Sequence, residues 1–200
     1  MTAGRTNTNQ KSKSWCTPPK YVKIINDFFD NHIDLDPCSN DFSLIEARVK
    51  YQLPENGLLK SWDYKNIFVN PPYGSDKERG TTIRDWIAKC QIANEIYKSE
   101  VLALIPVATN TRHWKDYIFS KAAGICFLYD TRLHFYIEGH EDMKGAPMSC
   151  AMVYWGTDIQ KFVKLFSRYG AALDVTNSIG AEFEPNRNTP SDNWQLELQL

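Results

Sequence analysis

The chain has 200 residues, of which 42% are hydrophobic and 13% aromatic, and its formal net charge at pH 7 is −1. This length and apolar content suit one domain with a buried core. The near-neutral charge gives no overall sign of a nucleic-acid or membrane partner, although a local basic groove is compatible with it. Its five widely spaced cysteines contain no CxxC pair, which argues against a disulfide framework or a zinc knuckle.

We therefore expect reduced thiols and a cytoplasmic protein. No apolar run approaches the length of a membrane span, and the N-terminus lacks the apolar core of a signal peptide, so no membrane partner is expected. Residues 1–14 are polar and carry Arg5, Lys11 and Lys13. This composition predicts a disordered basic tail.

The first helix is predicted directly after this tail. Order is expected from Trp15, with Thr17 as the N-cap and Pro18 in the first turn. Apolar residues then recur at helical spacing. They are Tyr21, Ile24, Ile25, Phe28 and Phe29.

Short apolar strands alternate with helices through the rest of the domain. The predicted strands are 32–36, 66–70, 101–107, 124–130 and 149–155. The predicted helices are 82–98, 111–123 and one that Thr157 caps. This alternation predicts an α/β, Rossmann-like fold with a mostly parallel sheet and helices on both faces.

The sequence divides into three parts. Residues 1–14 form the predicted tail, residues 15–170 the main domain and residues 171–200 a C-terminal extension. Within the extension, residues 177–193 are rich in turn-forming residues and predict a loop. Residues 194–200 alternate apolar and polar side chains, which predicts a terminal edge strand.

Two polar segments follow predicted strands, where ligands bind in open α/β sheets. The first runs from Asp36 to Asn40 with the sequence DPCSN, and the second is the NPPY segment, residues 70–73. A carboxylate such as Asp36 can hold a hydroxyl or an ammonium of a nucleoside-like cofactor. The alternative is that Asp36 caps the turn that follows the strand.

The NPPY segment suits methylation of an amine attached to an aromatic ring. Such an amine is a poor nucleophile because its lone pair is delocalised into the ring. Two acceptors, Asn70 Oδ1 and the Pro71 carbonyl, would draw the nitrogen towards tetrahedral geometry. The ring of Tyr73 would stack on the base, and Pro72 would stiffen the segment. Catalysis would then depend on positioning and electrostatics.

Several segments together resemble the phage-type DNA N6-adenine methyltransferase (Dam) family, which depends on S-adenosylmethionine. They are WCTP (15–18), DLDPC (34–38), GL (57–58) with Trp62, NPPY (70–73), LIP (104–106) and RLHF (132–135). The resemblance implies a Rossmann-like methyltransferase fold and double-stranded DNA as partner, with the target adenine flipped out of the duplex. It also implies a phage or prophage origin and protection of DNA from restriction.

The resemblance implies roles for individual residues. The implied catalytic residues are Asn70, Pro71, Pro72 and Tyr73. The implied cofactor contacts are Thr17, Pro18, Asp36, Pro37, Cys38 and Asp63. Unlike most methyltransferases of this fold, DPCSN contains no glycine, and Asp36 and Asn70 are only 34 positions apart (70 − 36). We therefore expect a compressed cofactor half, and either Asp36 or Asp63 could bind the cofactor's ribose.

Further candidates follow the predicted fourth strand. Arg132 either contacts DNA or forms a surface ion pair, and Phe135 either sandwiches the flipped base with Tyr73 or packs in the core. Residues 136–147 predict a mobile polar loop that contributes to DNA recognition. His140 and its acidic neighbours lack metal-ligand spacing, so no metal is expected.

The sequence thus predicts methyl transfer to adenine N6 in DNA. Two alternatives stay open at this stage. One is a methyltransferase for another planar amine or amide, namely cytosine N4, an RNA base or a protein glutamine. The other is an inactive relative that only binds nucleic acid.

Overall fold

The computed structural model describes residues 15–130 and 132–178. The predicted tail (1–14) and terminal strand (194–200) lie outside these residues. The helices of the described residues are α1 (Pro19–Phe28), α2 (Ile83–Tyr97), α3 (Arg112–Trp114) and α4 (Ile159–Phe166). Two other helical turns accompany them, a 3-10 turn at Gly57–Leu59 and a π-helical turn at Lys115–Phe119.

The strands of the described residues form one large sheet and two small hairpins. In chain order they are β1 (Ile33–Asp36), β2 (Ala47–Lys50), β3 (Asn66–Val69), β4 (Ser75–Asp76), β5 (Thr81–Thr82), β6 (Glu100–Pro106), β7 (Gly124–Leu128), β8 (Tyr136–Ile137), β9 (His140–Glu141), β10 (Cys150–Trp155) and β11 (Gly170–Asp174). The five predicted strands are all present as β1, β3, β6, β7 and β10.

The central sheet has seven strands in the order β11-β7-β10-β6-β3-β1-β2. Neighbours from β2 to β6 are parallel, whereas β10 is antiparallel to both β6 and β7, and β11 is antiparallel to β7. Five strands (β1, β2, β3, β6 and β7) therefore run in one direction and two run in the other. The predicted mostly parallel, Rossmann-like sheet is confirmed.

Helices cover both faces of this sheet. Alternate residues of β6 point to opposite faces, so Leu102 and Leu104 join one apolar cluster, and Val101, Ala103 and Ile105 join the other. The first cluster contains the apolar residues of α1 and α4. The second contains those of α2 and α3. Burial on both faces explains why these strands are almost continuously apolar.

The half of the sheet that contains β1, β2 and β3 is compressed, as the sequence predicts. Residues 37–46, which connect β1 to β2, contain no helix, and the 3-10 turn Gly57–Leu59 is the one helical piece of the connection from β2 to β3. All of these residues belong to the described part of the chain. The strand β2 was not predicted, because ARVK contains only two apolar residues and its side chains are at most half-buried.

Two predicted helix caps were wrong by one residue. Pro18, not Thr17, is the N-cap of α1, and the helix begins at Pro19, which has no N–H to leave unpaired. Asp158, not Thr157, caps α4 by accepting from the Lys161 N–H at 3.1 Å. The Thr157 hydroxyl instead donates to Glu100 at 2.9 Å.

Other boundaries also differ from the prediction. The helix predicted at 111–123 is divided into α3 and the π-helical turn and ends at Phe119. The loop predicted at 136–147 begins as the hairpin β8–β9, whose turn residues Glu138 and Gly139 have φ of 51° and 81°. Positive φ at both central residues is typical of a tight hairpin turn. Residues 171–174 pair with β7, so the sheet continues past the predicted domain boundary at 170.

Candidate active site

The NPPY segment leaves the sheet at the carboxyl end of β3. Its strand neighbour β1 is parallel to it and ends at Asp36, so Asp36 and Asn70 emerge at the same edge of the sheet. The backbone N–H of Asn70 faces the Cys38 sulfur. The structure therefore brings together the two polar segments that the sequence singles out.

The Asn70 side chain is half-buried and has a defined partner. Its Nδ2 donates to the backbone carbonyl oxygen of Trp15 at 3.0 Å. Pro71 is buried and Pro72 is half-buried. Because neither proline can donate a backbone hydrogen bond, the chain turns away from the sheet here without leaving buried N–H groups unpaired.

Three aromatic rings pack together at this segment: Tyr73 of the segment itself, Trp15 and Phe135. Trp15 stacks on Phe135 with ring centroids 4.7 Å apart and planes 4° apart. Tyr73 meets Trp15 at 85° and Phe135 at 82°. A base sandwich needs two parallel rings, and Tyr73 and Phe135 are nearly perpendicular. Phe135 is 1% exposed and packs as the core aromatic of the alternative interpretation.

The Tyr73 hydroxyl is anchored in the core. It donates to the Leu104 carbonyl oxygen at 3.1 Å. Burial, with smaller contributions from Cys150, raises the pKa of Tyr73 well above its usual range. Tyr73 therefore stays protonated at neutral pH, and its hydroxyl positions the ring instead of moving protons.

Asp36 is a buried carboxylate at the end of β1, with 4% of its surface exposed. Its Oδ1 accepts from the Cys38 N–H at 3.2 Å, which is the turn-capping role of the alternative interpretation. Burial raises the pKa of Asp36 to about 6, and the Cys38 N–H and the charge of Lys50 oppose that rise. The group is therefore mainly ionised at pH 7, in surroundings that disfavour its charge.

Cys38 is unsuited to act as a nucleophile. Burial and the neighbouring Asp36 charge raise the pKa of its thiol well above the usual value. Because the thiolate is the reactive form, this thiol is inert at neutral pH. Its place in the site is structural, against the backbone of Asn70.

A cavity of about 210 Å³ opens beside the NPPY segment. Its walls come from the loops after β1 and β2, from Pro72, from the β4–β5 hairpin and from the first turns of α2. The lining residues are Pro37, Cys38, Ser39, Asn40, Asp41, Tyr51, Gln52, Leu53, Glu55, Asn56, Gly57, Pro72, Asp76, Arg79, Thr81 and Trp86. This mixture of apolar surface, carboxylates and backbone suits a nucleoside-like ligand.

The loops after β1 and β2 touch backbone to backbone in the cavity wall. A Cβ on Gly57 would lie 1.9 Å from the Pro37 carbonyl oxygen, so no other residue fits there without a shift. Trp62 Nε1 donates to the Gly57 carbonyl oxygen at 2.9 Å. Lys89 Nζ donates to the carbonyl oxygens of Leu58 and Lys60, and burial lowers the pKa of Lys89 to about 8. Through Lys89, these contacts fasten the turn Gly57–Leu59 and its flanks to α2.

The predicted cofactor carboxylate Asp63 is not in this wall. It is exposed and precedes β3, which places it towards the opposite edge of the sheet from Asn70. Glu55 and Asp41 do line the cavity. Glu55 follows Asp36 by 19 positions (55 − 36), close to the interval at which dinucleotide-binding folds place a ribose-binding acid. Sequence reasoning missed it because β2 was not recognised.

Thr17 and Pro18 lie beside the cavity loop and outside the cavity lining. Thr17 is 3% exposed, and the Pro18 carbonyl oxygen accepts from the N–H groups of Tyr21 and Val22. The adjoining Cys16 donates its S–H to Asn40 Oδ1 at 3.2 Å. The N-terminal segment is thereby fastened to the loop after β1.

The basic residues near the site have different surroundings. Arg79 pairs with Asp76 at 2.9 Å and lines the cavity. Arg132 and Lys144 are exposed near the hairpin β8–β9, and Lys77 is exposed between β4 and β5. Within residues 15–130 and 132–178, Arg132 makes none of the ion pairs that the sequence alternative required.

The described residues contain no group of three or more His, Cys, Asp or Glu residues that could hold a metal ion. In the same part of the chain, no helix has the length and apolar character needed to cross a membrane.

Comparison with known proteins assigns the family. Residues 5–168 match the DNA N-6-adenine-methyltransferase (Dam) family, which is more than three quarters of the 200 residues. Neither a curated protein nor a solved structure matches the chain. The family assignment selects adenine in DNA among the acceptors considered above, and it implies S-adenosylmethionine as the methyl donor. The chain belongs to the DNA N-6-adenine-methyltransferase (Dam) family and is an adenine-specific DNA methyltransferase.

Proposed function

We propose that the cavity beside the NPPY segment binds S-adenosylmethionine and that residues 70–73 hold a target adenine flipped out of the duplex. The observation that carries this proposal is that the NPPY segment forms part of the cavity wall. Pro72 lines the cavity, and Asn70 lies two residues before Pro72. A donor in the cavity and a base held by Asn70 would therefore be neighbours. Adenine N6 is inaccessible to such a site while the base is stacked in DNA, which is why flipping is required.

The cavity residues fit the parts of this cofactor. Glu55 is the proposed partner of the ribose hydroxyls, and Trp86 and Leu53 offer apolar surface for the adenine. Pro37 and Cys38 supply the loop after β1, with the Asp36 charge behind it. Thr17 and Pro18 would lie towards the methionine end. When bound, S-adenosylmethionine supplies an activated methyl group on a sulfonium.

The NPPY segment prepares the amine for attack. Asn70 Oδ1 and the Pro71 carbonyl oxygen each accept one N–H of adenine N6, so the nitrogen lone pair is released from the ring. Transfer would form the new N–C bond as the S–CH₃ bond of the donor breaks and leaves a neutral thioether, and the amine would lose one proton to solvent. Tyr73, fixed through its hydroxyl to Leu104, supplies an aromatic contact to the base, for which about 1–3 kcal/mol is typical.

DNA would approach over the two hairpins that flank the NPPY segment. Lys77 belongs to the connection between β4 and β5, and Arg132 and Lys144 flank β8–β9. All three are exposed cations. Phosphate contacts by such side chains position a protein on the duplex.

Expression in a strain that lacks adenine methylation tests the proposal. We expect nucleoside mass spectrometry to detect N6-methyladenine with the wild type. With Asn70→Ala the signal should fall by roughly 10²–10³-fold, the loss typical of removing one preorganised hydrogen-bond partner. A Lys65→Ala variant, changed near the opposite edge of the sheet, is the control. Equal methylation by Asn70→Ala and the wild type would refute the role of Asn70.

We also propose that methylation protects DNA in a bacterial or phage-infected cell from restriction. Host DNA carrying the mark should resist an endonuclease that is blocked by N6-methyladenine. Digestion of DNA from the wild-type and Asn70→Ala strains compares the two directly. Full cleavage of DNA shown to be methylated at the endonuclease's own site would contradict this role.

A further inference from the structure

We propose that Trp15 is a positioning residue for methyl transfer, because its backbone carbonyl sets which end of the Asn70 amide faces the target amine. This inference rests on the proposed role of Asn70. It assigns a function to Trp15, which makes no other contribution to the chemistry described above.

The orientation of the amide follows from hydrogen-bond chemistry. The Trp15 carbonyl oxygen lies 3.0 Å from the amide nitrogen of Asn70. A carbonyl can only accept, so the NH₂ end of the amide must face it. Rotation of the amide by 180° would place two acceptor oxygens together. The hydrogen bond therefore assigns the oxygen end of Asn70 to the other side, where an acceptor is needed for adenine N6.

The position of the Trp15 carbonyl is fixed by two contacts, one made by the Trp15 ring and one made by the backbone of the next residue. The indole of Trp15 is 7% exposed and stacks on Phe135 at 4.7 Å. The next residue, Cys16, exchanges two backbone hydrogen bonds with Tyr136, at 2.8 and 3.1 Å. Ring stacking and this β-bridge together fix the peptide that carries the carbonyl. The same stacked ring meets Tyr73 edge-on, so the two ends of the NPPY segment share one support.

The indole N–H of Trp15 shows how the ring is held in place. Trp15 Nε1 is buried without a hydrogen-bond partner in the described structure, which is unfavourable for a polar group. The indole is thus held by stacking and not by its own hydrogen bond. A phenyl ring can also stack, whereas a leucine side chain fills space but cannot stack flat on Phe135. Comparing Trp15→Phe with Trp15→Leu therefore distinguishes the effect of ring stacking from the effect of side-chain volume.

The experiment measures single-turnover methylation of duplex DNA by purified full-length Trp15→Leu and Trp15→Phe. Affinities for S-adenosylmethionine and DNA are measured in parallel, and the rate is taken at saturation. We expect Trp15→Leu to lower the rate by roughly 10- to 100-fold, as small misplacements of catalytic groups do. Both affinities should stay within about threefold, a change of under 1 kcal/mol. Trp15→Phe should restore most of the rate.

A matched control and a double variant complete the design. Trp155→Leu replaces a buried tryptophan at the opposite end of the sheet, and its folded fraction should methylate at the wild-type rate. In an Asn70→Ala background, Trp15→Leu should cause no further loss, because Trp15 acts through Asn70. A wild-type rate for Trp15→Leu overturns the proposal, as does an equal further loss in the Asn70→Ala background. A Trp15→Phe rate as low as that of Trp15→Leu also overturns it and indicates direct contact between indole and substrate.

The failure of the proposed function would look different. If Asn70→Ala methylates as fast as the wild type, the role of Asn70 is wrong whatever Trp15 does. If Asn70→Ala is slow and Trp15→Leu is not, only the positioning role of Trp15 is wrong.

Discussion

The two halves of the central sheet are built in different ways. On one side, β6, β10 and β7 have seven, six and five residues, and helices cover them on both faces. On the other side, β1, β2 and β3 have four residues each, and residues 37–65 contain no α-helix. The long strands bury apolar side chains on both faces of the sheet. The short strands β1 and β3 also bury theirs, but the loops that follow β1 and β2 line the cavity.

This difference indicates a division of labour within one sheet. The half with long strands supplies burial, which is the main favourable contribution to folding. In the half with short strands, β1 and β3 are buried as well, whereas the cavity loops are held by single polar contacts, such as those of Lys89 and Trp62 to the Gly57–Leu59 turn and its flanks. We therefore expect core substitutions to change global stability and cavity-loop substitutions to change ligand binding.

The largest effect is expected in the half with long strands. Phe162 is fully buried on α4 and stacks on Tyr154 with centroids 5.4 Å apart. Phe162→Ala should lower the free energy of unfolding by about 3–5 kcal/mol, since it removes a buried ring and leaves a cavity. Urea denaturation measures this loss. Ile96→Ala, at an exposed site, is the control and should change stability by less than about 0.5 kcal/mol.

The difference between the two halves of the sheet also explains which strands and which site residues could be predicted from the sequence. The buried strands were found because long apolar runs leave few alternatives, as in VLALIPV. The strand β2 was missed because ARVK is half-exposed and carries two charges. Because β2 was not recognised, Glu55 could not be placed at the edge of the sheet where the strands end, and it was not proposed as a ligand-binding residue. The NPPY and DPC segments were found because proline after a strand is a local signal.

Contacts across the fold could not be predicted in the same way. Trp15 and Phe135 are far apart in the sequence, and no periodicity indicates that their rings stack. Of the two interpretations of Phe135, the structure has the core aromatic, and its ring lies 5.6 Å from that of Tyr73 at 82°. Ring orientation depends on packing, which a single sequence does not specify.

The second prediction concerns the stability of the cavity half. The pKa of Asp36 is raised from 3.8 to about 6 by burial, so between these values the folded chain binds more protons than the unfolded chain. The contribution of Asp36 therefore lowers stability as pH rises from about 4 to about 6. The full effect is at most about 3 kcal/mol, given about 1.4 kcal/mol per pH unit.

Asp36→Asn isolates this contribution. The amide oxygen can still accept from the Cys38 N–H, and no charge is buried. We expect the variant to be about 1–3 kcal/mol more stable than the wild type at pH 7.5 and about equally stable at pH 4. Urea denaturation at both values gives the difference. A variant that is less stable at pH 7.5 would show that the Asp36 charge is favourably paired.

The third prediction compares two glycines in matching situations. An added Cβ would lie 1.9 Å from the Pro37 carbonyl oxygen at Gly57 and 2.1 Å from the Phe127 carbonyl oxygen at Gly170. Both alanine variants must therefore move a neighbouring backbone, which typically requires about 1–3 kcal/mol.

The consequences should differ because the glycines lie in opposite halves. Gly57→Ala should weaken S-adenosylmethionine binding about tenfold or more, since it separates the two cavity loops; tenfold corresponds to about 1.4 kcal/mol. Gly170→Ala should lower thermal stability and leave cofactor affinity within about twofold. Titration calorimetry and thermal melts of both variants give the comparison. Equal loss of affinity would mean that the halves are coupled more tightly than their packing indicates.

The smallest effect is expected at the exposed surface. Arg132→Ala should weaken DNA binding and lower the slope of log affinity against log salt concentration by about 1, as for loss of one phosphate contact. Lys65→Ala makes the same charge change just before β3, towards the edge away from the NPPY segment, and should leave the slope unchanged. Fluorescence anisotropy at several salt concentrations measures both slopes. If the two variants change the slope equally, DNA affinity depends on the net charge of the protein, and the edge with the two hairpins has no special role in binding. If only Arg132→Ala changes the slope, the duplex lies across the edge of the sheet where the cavity and Asn70 meet.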